Sequence, residues 1–113
     1  MAIQTEIFTA QTVNGSSLVF LPVGTDPYQT NALPQLMING ANLGATTITL
    51  EAQDPNGNWI PSDPVNDIWT GNDYVRITGL YENSADVPLR LTVSGATGAT
   101  NISAWVWECS IVA

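Results

Sequence analysis

The sequence predicts an all-β fold, an antiparallel β-sandwich of the jelly-roll or Ig-like kind with about eight strands. Short runs rich in Val, Ile, Thr, Trp and Tyr are separated by Gly, Pro, Asn and Asp along the 113 residues, which is the pattern of strands and turns. These runs recur at intervals of about ten residues, as they do in sandwiches and barrels. No window has the apolar spacing of a capped helix, and the length predicts one domain, residues 1–113.

The N-terminal part of the chain is predicted to supply arms that reach another subunit. The run from Ile3 to Thr9 alternates as a strand does, and Asn14-Gly15 marks a turn before a second strand from Ser17 to Leu21. The stretch 22–34 is rich in proline, and a loop of that length is uncommon in a compact domain unless it has a function. The strand 1–9 and the loop 22–34 are therefore the predicted inter-subunit arms.

The middle of the chain contains the clearest strand, from Thr46 to Gln53. A tight turn at 54–58 leads from it into a short strand that begins at Trp59, and 74–80 and 87–93 predict two further strands. Period-two alternation predicts that Ile48, Leu50 and Ala52 point inward in the strand Thr46 to Gln53. The run 87–93 alternates in the same way, with Leu89, Leu91 and Val93 on one side.

The C-terminal run from Ile102 to Val112 predicts one long, central strand, because both of its faces carry apolar residues. Trp105 and Trp107 share one of these faces, and for both a position in the core is favoured over a role in binding. Cys109 is the only cysteine, so no intramolecular disulfide is possible, and its apolar surroundings predict a buried, inert thiol.

Two segments of the chain resemble each other. Residues 38–49 read Ile-Asn-Gly-Ala-Asn-Leu-Gly-Ala-Thr-Thr-Ile-Thr, and residues 93–103 read Val-Ser-Gly-Ala-Thr-Gly-Ala-Thr-Asn-Ile-Ser. Each predicts a strand, a Gly-Ala loop and a second strand that opens with Gly-Ala-Thr, with the glycines supplying positive φ where the chain reverses. Two explanations stay open, namely two hairpins that solve the same turn problem and an ancient duplication.

The charge balance argues against several classes of partner. The formal net charge is −8, with Arg76 and Arg90 as the only cations, whereas phosphate binding requires cations that displace counterions. An anionic membrane surface is disfavoured for the same reason, and no segment has the length of a membrane span. The first residues have neither the basic nor the apolar segment of a signal peptide, so we expect synthesis in a cytoplasm without secretion.

The residue inventory predicts no enzyme, no cofactor and no metal. The chain has no His and no Lys, which removes imidazole bases, Schiff-base lysines and the usual zinc sites. The segment 54–58 is rich in oxygen ligands but lacks the spacing of an EF-hand, so a hairpin turn is favoured over a calcium loop. A glycosidase-like alternative depends on four aspartates for which turn formation is the favoured explanation: Asp54, Asp63, Asp67 and Asp73.

The surface is predicted to be covered in an assembly. Charged residues make up only 11% of the chain, against roughly 25% in an average domain, and no lysine protects a strand edge. Trp59 follows a turn and is the candidate for contact with a ligand such as a glycan. The residues predicted to contact another protein are Ile3, Ile7, Phe8, Tyr28 and Leu33.

The stretch from Leu36 to Trp59 resembles a pattern of small virion proteins of tailed bacteriophages. Its parts are a strand, a Gly-Ala loop, a second strand and the turn Asn56-Gly57-Asn58, and the segment 93–103 is similar. The resemblance implies a capsid decoration (cement) protein on the virion surface. It also implies binding to the major capsid protein and a homo-oligomer, with a trimer favoured. A tail or fibre adhesion module, or a carbohydrate-binding module, is the alternative.

Overall fold

Two antiparallel sheets form the protein in this computed structural model, which describes residues 4–22, 34–62, 68–70, 74–79, 87–97 and 100–112. The described residues contain no helix, so the predicted all-β sandwich is confirmed. Strand segments are more numerous than the eight predicted, because several have only two or three residues. They are β1 (Gln4–Gln11), β2 (Gly15–Ser16), β3 (Phe20–Pro22), β4 (Gln35–Ala41), β5 (Thr47–Gln53), β6 (Trp59–Pro61), β7 (Ile68–Thr70), β8 (Tyr74–Gly79), β9 (Leu89–Ser94), β10 (Asn101–Trp107) and β11 (Cys109–Ile111).

The strand order pairs the N-terminal strands β1, β2 and β3 with strands near the C-terminus, β9, β10 and β11. Sheet A has the order β1-β10-β4-β8, and sheet B has the order β11-β3-β9-β5-β6, with β2 also paired to β9 and β7 to β5. Side chains from both sheets meet in one hydrophobic core, whose burial supplies the main driving force for folding. Its members are Ile7, Phe8, Phe20, Leu36, Ile38, Leu43, Ile48, Leu50, Trp69, Leu89, Leu91, Val93, Ile102, Ala104, Val106 and Cys109.

The alternation predicted for the two central strands of sheet B is confirmed. In β5, Ile48 and Leu50 are buried and Ala52 packs against the core. In β9, every second residue is likewise buried. The two strands pair directly, so their inward residues form one continuous apolar layer.

The plain alternation predicted for the first strand is wrong. The register of β1 against β10 shifts between Glu6 and Phe8 and again between Phe8 and Gln11. Each shift is a β-bulge, which inserts a residue and turns the following side chains. As a result Ile7 and Phe8 are both buried although they are adjacent. At the second bulge Ala10 has a φ of 46°.

The strand predicted from Ser17 to Leu21 is interrupted at its start. Ser17 donates its N–H to the carbonyl oxygen of Leu91 at 2.8 Å, and its Oγ accepts the N–H of Leu91 at 2.9 Å. A side-chain oxygen thus replaces a backbone partner, which is how serine competes with regular ladders. Regular pairing resumes only at Phe20.

The single C-terminal strand of the prediction is also wrong, because the chain changes sheets at Glu108. This residue has a φ of 56°, a conformation that breaks the extended backbone. Before it, β10 lies between β1 and β4 in sheet A, and after it β11 pairs with β3 in sheet B.

The two similar segments form two arches that cross between the sheets. The first arch, residues 38–49, leads from β4 in sheet A to β5 in sheet B, and the second arch, residues 93–103, leads from β9 in sheet B to β10 in sheet A. β4 pairs with β10 in sheet A, and β5 pairs with β9 in sheet B. Each sheet therefore contains one strand from each arch, and the two arches cross between the sheets in opposite directions. The Oγ1 atoms of Thr46 and Thr100 lie 3.2 Å apart at the point where the arches meet, and both residues are fully buried.

Candidate interaction surface

The outward side of sheet A carries two tryptophans on one strand. Ile102, Ala104 and Val106 of β10 are fully buried, so the residues between them point away from the core. Trp105 and Trp107 are therefore on the outer side, where the structure leaves both half-buried.

The neighbours of the two tryptophans are set by strand register. Trp105 lies opposite Glu6 of β1 and Met37 of β4. Trp107 lies opposite one glutamine on each of the same two strands. Side chains that are directly opposite on a sheet have Cβ atoms roughly 4.5–5.5 Å apart and contact each other. We call this surface face A, and its residues are Gln4, Glu6, Gln35, Met37, Trp105 and Trp107.

The prediction that Trp105 and Trp107 belong to the core is wrong. Ala104 and Val106 pair with Ile38 and Leu36 of β4, and it is this smaller set that fills the space between the sheets. The sequence contains one signal for this arrangement, which is Glu108 in the middle of an apolar run. The charged residue lies where the chain changes sheets. Cys109 is buried, although plain alternation would place it on the same outer side as Trp105 and Trp107.

Trp59, the predicted ligand contact, lies on the outer side of sheet B. It is half-buried beside Gln53 of β5. The guanidinium carbon of Arg90 lies 4.3 Å from the centre of its ring, a cation–π geometry. The Nε of Arg90 also donates to Oε1 of Glu51 at 2.9 Å, and the same oxygen accepts the Thr92 hydroxyl. One face of the indole is thus occupied by a side chain that is itself ion-paired.

The predicted protein contacts fall into two groups. Ile3, Tyr28 and Leu33 lie outside the described residues. Ile7 and Phe8 are buried in the core, because the bulge in β1 turns both side chains inward. Their contact with another subunit stays untested, and in this fold neither side chain is presented at the surface.

The turn at 54–58 is organised by Asp54. Its Oδ1 accepts the N–H groups of Asn56 and Asn58, each at 2.9 Å. These hydrogen bonds, with that from Asn58 the largest contribution, lower the pKa of the Asp54 carboxyl. The oxygens thus accept donors of their own turn, as a turn aspartate does.

Three of the four aspartates on which the glycosidase-like alternative depends lie outside the described residues. They are Asp63, Asp67 and Asp73. Within the part of the chain that the structure describes, no three acidic, His or Cys side chains are grouped as metal ligands.

Cys109 is buried, as predicted. Burial, with a smaller contribution from the charge of Glu108, raises the pKa of its thiol to about 12. Its Sγ–H donates to the carbonyl oxygen of Trp107 at 3.4 Å. A thiol with this pKa contains almost no thiolate at neutral pH, which makes it a poor nucleophile.

Comparison with known proteins gives no relative from which a role is transferred. No protein-family model matches the chain, and no curated protein matches it significantly. In the described ranges there is no helix long and apolar enough to cross a membrane.

Proposed function

We propose that this chain is a structural virion protein that binds the outer surface of a tailed-phage capsid and stabilises the shell. The observation that carries the proposal is face A, where Trp105 and Trp107 lie on the outer side of one strand and are only half-buried. Trp and Met are enriched at protein interfaces, and a tryptophan anchor often supplies much of the binding energy. The resemblance of 36–59 and 93–103 to small virion proteins supports the same role.

The rest of face A suits an interface with a neutral or basic partner. Gln4, Gln35 and Glu6 are exposed around the aromatic centre, and polar residues at the rim of an interface are usual. The net charge of −8 opposes contact with DNA. A protein on the outside of the shell has no need of such contact.

Copy number in the particle tests the proposed role directly. In quantitative mass spectrometry of purified virions, we expect one copy per major capsid subunit or a simple symmetric fraction of it. A few copies per virion would instead indicate a tail or fibre component. Absence from the particle would contradict the virion proposal.

Binding of purified chain to particles that lack it tests face A. The double variant Trp105→Thr/Trp107→Thr retains residues with high strand propensity and removes the aromatic anchors, so we expect at least about tenfold weaker binding. The matched control is Trp59→Thr on sheet B, which leaves face A intact. Circular dichroism and thermal unfolding establish that both variants are folded. Equal loss of binding in the control would contradict a role specific to face A.

Glycan binding is the second candidate, and the same two tryptophans favour it. Aromatic rings stack on sugar rings, and Gln4 and Gln35 flank Trp107 with amide donors and acceptors. Trp59 is less suited to this role than the sequence predicts, because Arg90 covers one of its faces. Specific binding on a glycan array, lost in the Trp105→Thr/Trp107→Thr variant, would favour an adhesion or carbohydrate-binding module over decoration.

A further inference from the structure

The strand β11 (Cys109–Ile111) forms one edge of sheet B. This strand is the terminal one in the order β11-β3-β9-β5-β6 and pairs only with β3 among the strands described. An edge strand offers a row of backbone donors and acceptors to any extended chain. The question is which of these groups point outward.

The hydrogen bonds to β3 determine the direction of each amide of β11. Val112 donates its N–H to the carbonyl oxygen of Val19 at 2.8 Å. Backbone groups alternate in direction along a strand, so Ser110 also faces β3. The N–H and C=O groups of Cys109 and Ile111 therefore face away from the sheet. Pro22, which has no N–H, lies opposite Cys109, as expected for a pair that exchanges no hydrogen bonds.

Within the described residues, the strand at this edge has no charge, proline or bulge that opposes pairing. Residues 109–112 contain no charge and no proline. By contrast, the edge strand β1 of sheet A has two bulges and Glu6, and the edge strand β6 carries Pro61. Such devices keep edges from adding strands.

The surroundings of the edge are apolar. Ile111 is 37% exposed, Val112 39% and Leu18 50%. The hydrogen bond from Val112 to Val19 places the end of β11 beside the residue that follows Leu18. The exposed side chains of Leu18, Ile111 and Val112 therefore lie in one region of the surface. An added strand with apolar alternate residues has side chains to pack against here.

Charge and size identify the kind of chain that fits. Glu108 directly precedes β11, and the whole chain has a net charge of −8, with Arg90 already paired to Glu51. A second copy carries the same excess of negative charge, which disfavours its approach. A strand of three or four residues also buries far less than the roughly 1,200 Å² of a stable protein dimer, whereas a peptide that adds one strand needs only such an edge.

We propose that β11 accepts an extended segment of a different protein by β-strand addition, with apolar alternate residues and basic flanks. The segment donates to and accepts from the backbone of Cys109 and Ile111, while its flanking Lys or Arg residues lie near Glu108. The inference is independent of face A. A peptide assay therefore tests it whether or not the chain is a decoration protein.

The first experiment is fluorescence anisotropy with the full chain and a labelled peptide, Lys-Lys-Val-Ser-Val-Thr-Val-Lys-Lys. We expect saturable binding. Binding should be at least about tenfold weaker when the peptide amides that face β11 are N-methylated, or when the lysines are replaced by glutamates. Because successive amides alternate in direction, one peptide is N-methylated at the central valine and another at the serine and threonine. If both bind as well as the unmethylated peptide, strand addition is overturned. Equal binding of the glutamate peptide would overturn the basic partner.

Amide exchange followed by NMR gives a reading that does not depend on a variant. In the free chain we expect fast exchange at Cys109 and Ile111 and slower exchange at Ser110 and Val112, and peptide should slow the first pair. Fast exchange that peptide leaves unchanged, or protection of all four amides in the free chain, would overturn the proposal. Protection that rises with protein concentration without peptide, together with dimers in sedimentation, would identify a second copy as the occupant instead.

The variant Ile111→Pro removes one outward N–H and keeps the amides that face β3. We expect at least about tenfold weaker peptide binding, with Val112→Thr as the control that keeps every backbone donor. Where Ile111→Pro does not fold, Ile111→Lys retains the N–H and adds a charge that repels the basic flanks. Unchanged binding in the folded variant of this pair would overturn the assignment to β11.

Discussion

The two arches have closely similar sequences and are held in place by different contacts. With Ile38 aligned to Val93, Gly40 corresponds to Gly95, and Thr46 corresponds to Thr100 after one extra residue in the first arch. That extra residue is Leu43, which is fully buried. The first arch thus inserts a leucine side chain into the core at a position that has no counterpart in the second arch.

The corresponding glycines show the same contrast. A Cβ on Gly40 would lie 3.0 Å from the Cδ atoms of Leu43, which is a side chain. A Cβ on Gly95 would lie 2.9 Å from the carbonyl oxygen of Ala45, which is backbone of the other arch, and Gly95 has a φ of 70°. Glycine at the same motif position is therefore required for side-chain packing in one arch and for backbone contact between arches in the other. The exchange of sheets is compatible with both explanations of the similarity, namely a duplication and two reversals that solve the same turn problem.

The largest expected effect comes from removing the residue that distinguishes the arches. Leu43→Ala should lower the free energy of unfolding by about 3 kcal/mol, because a fully buried leucine leaves a cavity. Urea unfolding measures it. The double variant Gly40→Ala/Leu43→Ala should be less destabilised than the sum of the single variants, since the second change makes room for the first. Simple additivity would contradict the contact between these residues.

The next effect separates backbone contact from backbone conformation. Gly95→Ala should cost about 3 kcal/mol, combining the left-handed φ with the clash at Ala45. Gly44→Ala is the matched control, because Gly44 has a φ of 53° and no atom of the described residues within 4 Å of its Cβ position, so about 1 kcal/mol is expected. Equal losses in the two variants would mean that close approach of the arches contributes nothing.

A smaller asymmetry is expected between the two buried threonines. The Oγ1 of Thr100 accepts the N–H of Thr97 at 3.0 Å and donates to the carbonyl oxygen of Asn42 at 3.3 Å, besides its contact with Thr46. Thr100→Val should therefore cost about 2 kcal/mol and Thr46→Val about 1 kcal/mol. Thermal unfolding of both variants measures the difference, and the reverse order would contradict Thr100 as the centre of this hydrogen-bond group.

The effect that is smallest near neutral pH concerns Cys109, the first residue of β11 after the change of sheets at Glu108. Because the folded thiol has a pKa of about 12 and the ordinary value is 9.0, the unfolded chain loses this proton first as pH rises. The contribution of Cys109 to stability is therefore complete below about pH 8 and falls between the two pKa values. Urea unfolding across this range should show a weaker pH dependence for Cys109→Val than for the wild type, and identical profiles would contradict the buried thiol.

The sequence predicted those elements whose structure depends on local pattern. Alternation identified the inward residues of β5 and β9, because both strands are regular and central. The Gly-Ala-Thr motifs located both chain reversals, but as hairpins, whereas each reversal is an arch between the two sheets. The pattern failed where pairing with a distant strand decides the outcome. The bulges that turn Ile7 and Phe8 inward arise from the register against β10. The outward position of Trp105 depends on β4 filling the core with its own residues.

The crossing of the arches has a consequence for the order in which the chain becomes able to fold. The ribosome completes the first arch well before the second, since β9 begins 36 residues after the end of β5 and β10 begins 48 residues after it. Until then β4 lacks its neighbour β10 and β5 lacks its neighbour β9. Neither sheet is complete before the C-terminal strands are made. The nascent first arch therefore has exposed pairing edges until β9 and β10 are made, and folding awaits contacts between residues far apart in sequence, which form slowly.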